Sequence, residues 1–135
     1  MNTPLFLTLS KYPLPNWLDA FSDVSIHMGP PKTFDFFNAA IIYIDFTGLN
    51  TMQKEQWLSA TVAAEKKVIV LSSVPKDEEA LTVIKQGAVG YGHTLAIGGQ
   101  LREMELVAKH GGLWVGSNVL KKLLLTLSNV RHENA

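Results

Sequence analysis

The chain has 135 residues, enough for one domain with a layered core, and 47% hydrophobic against 18% charged residues excludes a disordered segment. Twelve Lys+Arg balance twelve Asp+Glu, which argues against a stand-alone nucleic-acid binder, because such a protein needs surplus cations to displace counterions. The absence of cysteine excludes a disulfide scaffold, a Cys-based zinc site and a Cys nucleophile.

From the N-terminus, LFLTL (Leu5 to Leu9) reads as a short buried strand and Asn16 to Phe21 as a short helix. DVSIHM (Asp23 to Met28) predicts a second strand, and the segment around Phe34 to Phe37 fits either a short helix or a loop. AIIYID (Ala40 to Asp45) and KVIVLSS (Lys67 to Ser73) are nearly continuous in Ile and Val. That is the pattern of strands buried on both faces, as in a parallel sheet covered by helices. Thr51 to Ala64, free of Gly and Pro, predicts a long helix between them. Pro75 to Gln86 opens with Pro, Asp and two Glu, the chemistry of a helix N-terminus, and Gly87 stops it. AVGYG (Ala88 to Gly92) gives a fifth strand. Gln100 to His110 sets Leu101, Met104 and Ala108 on one helical face and ends at Gly111-Gly112. This alternation predicts a doubly wound α/β fold with a five-stranded parallel sheet and right-handed crossovers.

Ser117 to Val130 predicts an extra C-terminal helix, with Ser117 or Asn118 as its N-cap. Val119, Leu120, Leu123, Leu124, Leu127 and Val130 form one stripe, and Leu125 widens it. An apolar surface that wide needs a partner, either the helix's own domain or another chain. The final residues, RHENA, are expected to fray. No apolar run approaches the roughly 20 residues that span a bilayer. The opening MNTPLFLTLSKYP lacks the basic-then-apolar order of a secretory signal. A cytoplasmic domain without membrane contact is expected.

In an open parallel sheet, chemistry collects beyond the carboxyl ends of the strands. Those ends offer Ser10 and Lys11, then Asp45, Ser72, and finally His93 and Thr94. Asp45 has a plain structural role open to it, capping the loop that follows, and Ser72 and Ser73 fit turn positions. No Gly-x-Ser-x-Gly elbow surrounds them. His27, His93, His110 and His132 show no metal-ligand spacing, so no metal site is expected. Gly87, Gly90 and Gly92 reverse the dinucleotide fingerprint and flank a late strand, which disfavours a nucleotide cradle. Trp17 and Trp57 carry no motif and are expected in or near the core. With no convergent nucleophile, base and oxyanion set, the chain is not expected to be an enzyme.

From Lys67 to Leu124 the sequence resembles the second half of a response-regulator receiver domain of the LuxR/NarL type. It has a strand ending in Leu71-Ser72, an acidic helix, Gly87-Ala88-Val89-Gly90-Tyr91, an amphipathic helix, then Gly111-Gly112-Leu113-Trp114-Val115. AIIYIDF and LTLSKYPLPNWLDAF resemble the family's third strand and its first strand and helix more loosely. The resemblance implies a flavodoxin-like strand order 2-1-3-4-5, with a receiver-like domain over residues 1–112. Residues 113–135 would be an extension towards an output domain. It implies that Asp45 matches the phosphoacceptor, Ser72 the hydroxyl that senses the phosphoryl group, and Tyr91 the aromatic switch. The family's acidic pair falls on Ser10 and Lys11, and its lysine after the fifth strand falls on Thr94. Magnesium is held by oxygen ligands, and one carboxylate is few for it. The expectation is therefore a pseudo-receiver with no cofactor, in which Asp45 is not phosphorylated in the standard way and Lys11 could pair with it. The alternative is an active phospho-receiver.

A small-ligand sensor using the strand ends is a further alternative, with cyclic di-GMP as one ligand, because some LuxR-type regulators that this sequence resembles bind it through a Trp-hydrophobic-Ser/Thr-Arg motif. Trp114-Val115-Gly116-Ser117 lacks the Arg, whose planar fork suits phosphate and guanine. The expected role is protein interaction, within two-component signalling or transcription regulation. The partner would be a second copy or another protein, and DNA would be reached only through an output domain outside this chain. The family's usual face corresponds to Glu78 to Lys85, Tyr91 and Gln100 to Ala108. Trp114, Leu120, Leu124 and Leu127 provide a second candidate surface.

Overall fold

The computed structural model describes residues 3–32 and 38–133, with side chains described as far as residue 128. The segment around Phe34 to Phe37, open to helix or loop, lies outside the described residues. Five strands form one parallel sheet: β1 (Leu5–Thr8), β2 (Ser25–Met28), β3 (Ile41–Asp45), β4 (Lys67–Ser72) and β5 (Gly90–His93). Their spatial order is β2-β1-β3-β4-β5. Five helices join them: α1 (Pro15–Ala20), α2 (Thr51–Ala63), α3 (Asp77–Lys85), α4 (Gly98–Lys109) and α5 (Ser117–Glu133). The fold is the doubly wound α/β arrangement expected from the alternation of strands and helices, with the flavodoxin-like strand order that the resemblance implied.

Strand periodicity divides the core into two layers. Leu5, Leu7, Ile42, Ile44, Val68 and Val70 face α2, α3 and α5 together with Trp57, Leu58, Ala80, Val83 and Val119. Phe6, Ile41, Tyr43, Ile69 and Leu71 face α1 and α4 with Trp17, Leu101, Met104 and Ala108. The second layer is aromatic at its centre. Phe6 stacks on Tyr43 at 4.5 Å and on Trp17 at 4.4 Å between ring centroids. The buried Tyr43 hydroxyl donates to the Leu101 carbonyl at 2.6 Å, so the phenol keeps a partner inside an apolar layer.

Local chemistry sets the helix ends. Asn50 and Gln53 form a reciprocal capping box at the start of α2. The helix expected from Pro75 begins at Asp77, because Lys76 is still extended and serves as its N-cap. Asp77, Glu78 and Glu79 do fill the first turn, where the helix dipole favours negative charge. Gly87 has φ +112°, and a Cβ there would sit 2.9 Å from Val62, so only glycine ends α3 this way without strain. The terminal helix starts at Ser117 itself, and the Gly116 carbonyl accepts from the Leu120 amide.

The segment before α5 closes one side of the sheet. Trp114 forms a parallel bridge with Gly90. The Tyr91 amide donates to the Trp114 carbonyl at 3.1 Å, and the Trp114 amide to the Val89 carbonyl at 2.9 Å. Consecutive side chains then go to opposite faces, as in a strand. Trp114 packs with the α1/α4 layer and Val115 with the other.

Candidate functional site

The carboxyl edge of the sheet converges on Asp45, which ends β3 with only 3% of its surface exposed. Parallel register sets Leu7 beside Ile44, so the next pair along is Thr8 and Asp45. The Thr8 hydroxyl donates to Asp45 Oδ2 at 3.0 Å. Asp45 Oδ1 accepts from the Thr94 hydroxyl at 3.0 Å, the Thr47 hydroxyl at 2.6 Å and the Thr47 amide at 3.1 Å. Both carboxylate oxygens are therefore engaged by neutral donors from the end of β1, the turn after β3 and the loop after β5. Hydrogen bonds of this kind, to a charged acceptor, are the stronger class. Thr8 and Thr94 are buried as well, so these hydroxyls have no water to turn to.

Thr8 and Thr94 are themselves held. Thr8 Oγ1 accepts from the Ser10 amide at 3.0 Å. The Thr94 amide donates to the Ser72 carbonyl, and the Thr94 carbonyl accepts from Asn16 Nδ2 and Trp17 Nε1. Helix α1 is thus pinned to the loop after β5 through the same residue that binds Asp45.

The residues expected around Asp45 are distributed differently. Ser10 turns its hydroxyl to the Tyr12 carbonyl at 2.6 Å. Lys11 is exposed and makes no ion pair with Asp45, which corrects the expected pairing. β1 ends at Thr8, before Ser10 and Lys11 can reach the site, so the residue beside Asp45 is Thr8. Thr94 does contact Asp45, as a hydroxyl donor. Thr8 and Thr47 escaped the sequence reading. The signal for Thr8 was register, since the first polar residue after the Leu5-Phe6-Leu7 run is the one level with the end of β3.

Ser72 makes no hydrogen bond to Asp45. Its hydroxyl accepts from the Val74 amide at 3.2 Å and lies beside Glu79 and Tyr91. Tyr91 is turned inward, donating its hydroxyl to Glu79 Oε1 at 2.8 Å and accepting from the Lys76 amide at 3.0 Å. Glu79 Oε2 is paired with Lys54 Nζ at 2.9 Å. Burial, with the nearby Glu79 carboxylate, pushes the Tyr91 phenol up to about 12. Burial alone would raise Glu79, but the hydrogen bonds from Lys54 and Tyr91 outweigh it and hold the carboxyl below its usual value. The result is a closed latch joining α2, α3 and β5, separate from the Asp45 cluster.

The two surfaces expected to meet partners differ in access. Tyr91 is buried, and the outer side of β5 is taken by Trp114, while α5 packs beside α3 through Val119 and Leu123. Trp114 is half-buried against the α1/α4 layer, so it fastens the extension rather than presenting a free ring. Leu120, Leu124 and Leu127 are exposed. Among the described residues no group of three or more His, Cys, Asp or Glu is placed to hold a metal ion, and no helix is long and apolar enough to cross a membrane.

A scan against family models and a search of curated proteins find no match to this chain. Solved structures do match. A response regulator from Thermotoga maritima superimposes with a TM-score of 0.62 at 14% identity, covering 80% of this chain and 98% of the other. The response regulator ChrA of a heme-sensing two-component system gives 0.62 at 18% identity, over 94% of this chain and 66% of the other. A LuxR-family two-component response regulator from Aurantimonas sp. SI85-9A1 gives 0.60 at 10% identity, over 95% and 99%. Strand order, the covered parallel sheet and these superpositions together give the chain the fold of a response-regulator receiver domain.

Proposed function

We propose that this chain is a pseudo-receiver of a signal-transduction regulator, in which Asp45 is a structural pin and the output passes through protein contact. One observation carries the reading: both oxygens of a buried Asp45 are engaged by three threonine hydroxyls and an amide. Phosphoryl transfer to a carboxylate needs an accessible oxygen and concentrated positive charge to stabilise the transferring group. Here the oxygens are occupied, and among the described residues neither a second carboxylate nor a lysine is bonded to them. The residues also fit magnesium poorly. A hard divalent ion in a protein site with several waters still takes one or two carboxylates and usually substrate phosphates. To bind the ion, Asp45 would have to exchange hydroxyl partners it already holds.

The site also ties separate parts of the fold together. Thr8, Asp45 and Thr94 tie together β1, β3 and the loop after β5, and Thr94 carries the link on to α1. A network whose donors and acceptors are all satisfied favours one arrangement over alternatives.

The test is mass spectrometry of the chain incubated with acetyl phosphate and magnesium. No stable gain of a phosphoryl group is expected. A gain that disappears in Asp45→Asn would establish an active phospho-receiver and overturn the reading.

A further inference from the structure

The apolar stripe of α5 is split in two by the fold. Val119 is buried and Leu123 packs on the core, while Lys122 Nζ reaches Asp77 Oδ2 at 3.2 Å and ties the helix to the start of α3. Past Leu123 the helix runs on to Glu133, yet residues 124–128 are all exposed. A helical segment that has left its domain is marginal in water unless something packs on it. Leu120, Leu124 and Leu127 are 46%, 57% and 61% exposed. At about 100° per residue they fall within about 60° of one another, on a strip roughly a quarter turn from the docked side. Their spacing of four then three residues is that of a two-helix seam.

We propose that α5 is a pairing helix whose occupant is α5 of a second copy of this chain, laid parallel, with Leu120, Leu124 and Leu127 as the seam. This rests on the pseudo-receiver reading only in giving that module a partner. Charge favours a copy. Between Ser117 and Ser128 the helix has no carboxylate and only two cations, and Lys122 is already engaged by Asp77. With Leu120 and Leu127 at d and Leu124 at a, the flanking g and e′ pairs are Gly116 with Lys121 and Leu123 with Ser128. No like charges meet across such a pair. The leucine strip amounts to a few hundred Å², on the order of the largest apolar patches on monomers. That is less than the roughly 800 Å² per partner of stable complexes, so the pair should be concentration-dependent.

Sedimentation of the full chain over a range of concentrations tests the proposal. The mass is expected to rise towards twice that of the monomer. Leu120→Glu with Leu124→Glu should hold it at the monomer with unchanged circular dichroism, and Leu125→Glu, off the seam, should leave pairing intact. The chain has no cysteine, so Leu124→Cys alone should form a disulfide-linked dimer on oxidation if the helices are parallel. A monomer at every concentration, including one that instead binds an acidic partner helix, overturns the proposal. So does a dimer that survives the double substitution or is abolished by Leu125→Glu, and a failed crosslink in a confirmed dimer overturns the parallel arrangement. Phosphorylation of Asp45 in a protein that still pairs through α5 would sink the pseudo-receiver reading and leave this one standing.

Discussion

Asp45 and Leu124 are both out of place by their chemistry, an acid inside and a leucine outside, and the molecule treats them differently. Around Asp45 the fold brings four neutral donors to two oxygens, so a group that is costly to bury has every partner it needs. Leu124 is left 57% exposed, and the neighbouring turns of α5 carry the same exposed residue type. A buried group that is fully satisfied is complete within one chain. An apolar strip with no cover is incomplete within one chain. The comparison separates what this domain does for its own stability from what it offers to others.

The largest effect should come from breaking the satisfied side. Asp45→Ala leaves the buried Thr8 and Thr94 hydroxyls without their acceptor and should cost about 3 kcal/mol in denaturant unfolding. In a receiver site crowded with acids, the same change would relieve repulsion and stabilise. The sign of the change therefore discriminates between a structural pin and a metal-binding cluster, and a neutral or stabilising result would refute the pin.

A smaller effect, visible only through pH, should come from the latch beside it. The folded-state value of Glu79 lies below its ordinary 4.5. Its contribution is therefore full above that ordinary value and is lost as pH falls through the lower folded one. Glu79→Gln should flatten the decline of stability below about pH 5. An acid limb identical to that of the parent chain would mean that the Lys54–Glu79–Tyr91 cluster is not coupled to folding.

The smallest effect belongs to the uncovered side. Leu125→Ser removes an exposed side chain and should change monomer stability by no more than about 0.5 kcal/mol, measured in dilute protein. A loss of several times that would show that α5 is packed by its own domain after all, and the contrast with Asp45 would collapse.

Much of this architecture was legible in the sequence because it rests on local pattern. The Ile and Val runs at β3 and β4, the acidic start of α3 and the glycine at its end each announce an element without reference to the rest of the chain. The site was less legible, for a reason visible at Thr8. Reading the first strand as far as Leu9 moved its carboxyl end onto Ser10 and Lys11, whereas the strand stops at Thr8 and sets that hydroxyl against Asp45. Moving a strand's end by one residue leaves its register and hydrophobic pattern untouched, yet it changes which groups are expected at the tip. The inward turn of Tyr91 was hidden in the same way, because its partners come from α3 and its covering residue lies beyond α4.

The bridge between Trp114 and Gly90 has a consequence for how the chain tolerates shortening. A version ending before Leu113 would strip β5 of its backbone partners on one flank. The freed amide and carbonyl groups would then be a template for adding a strand from any neighbouring molecule. Residues 113–116, few as they are, act as a guard against aggregation.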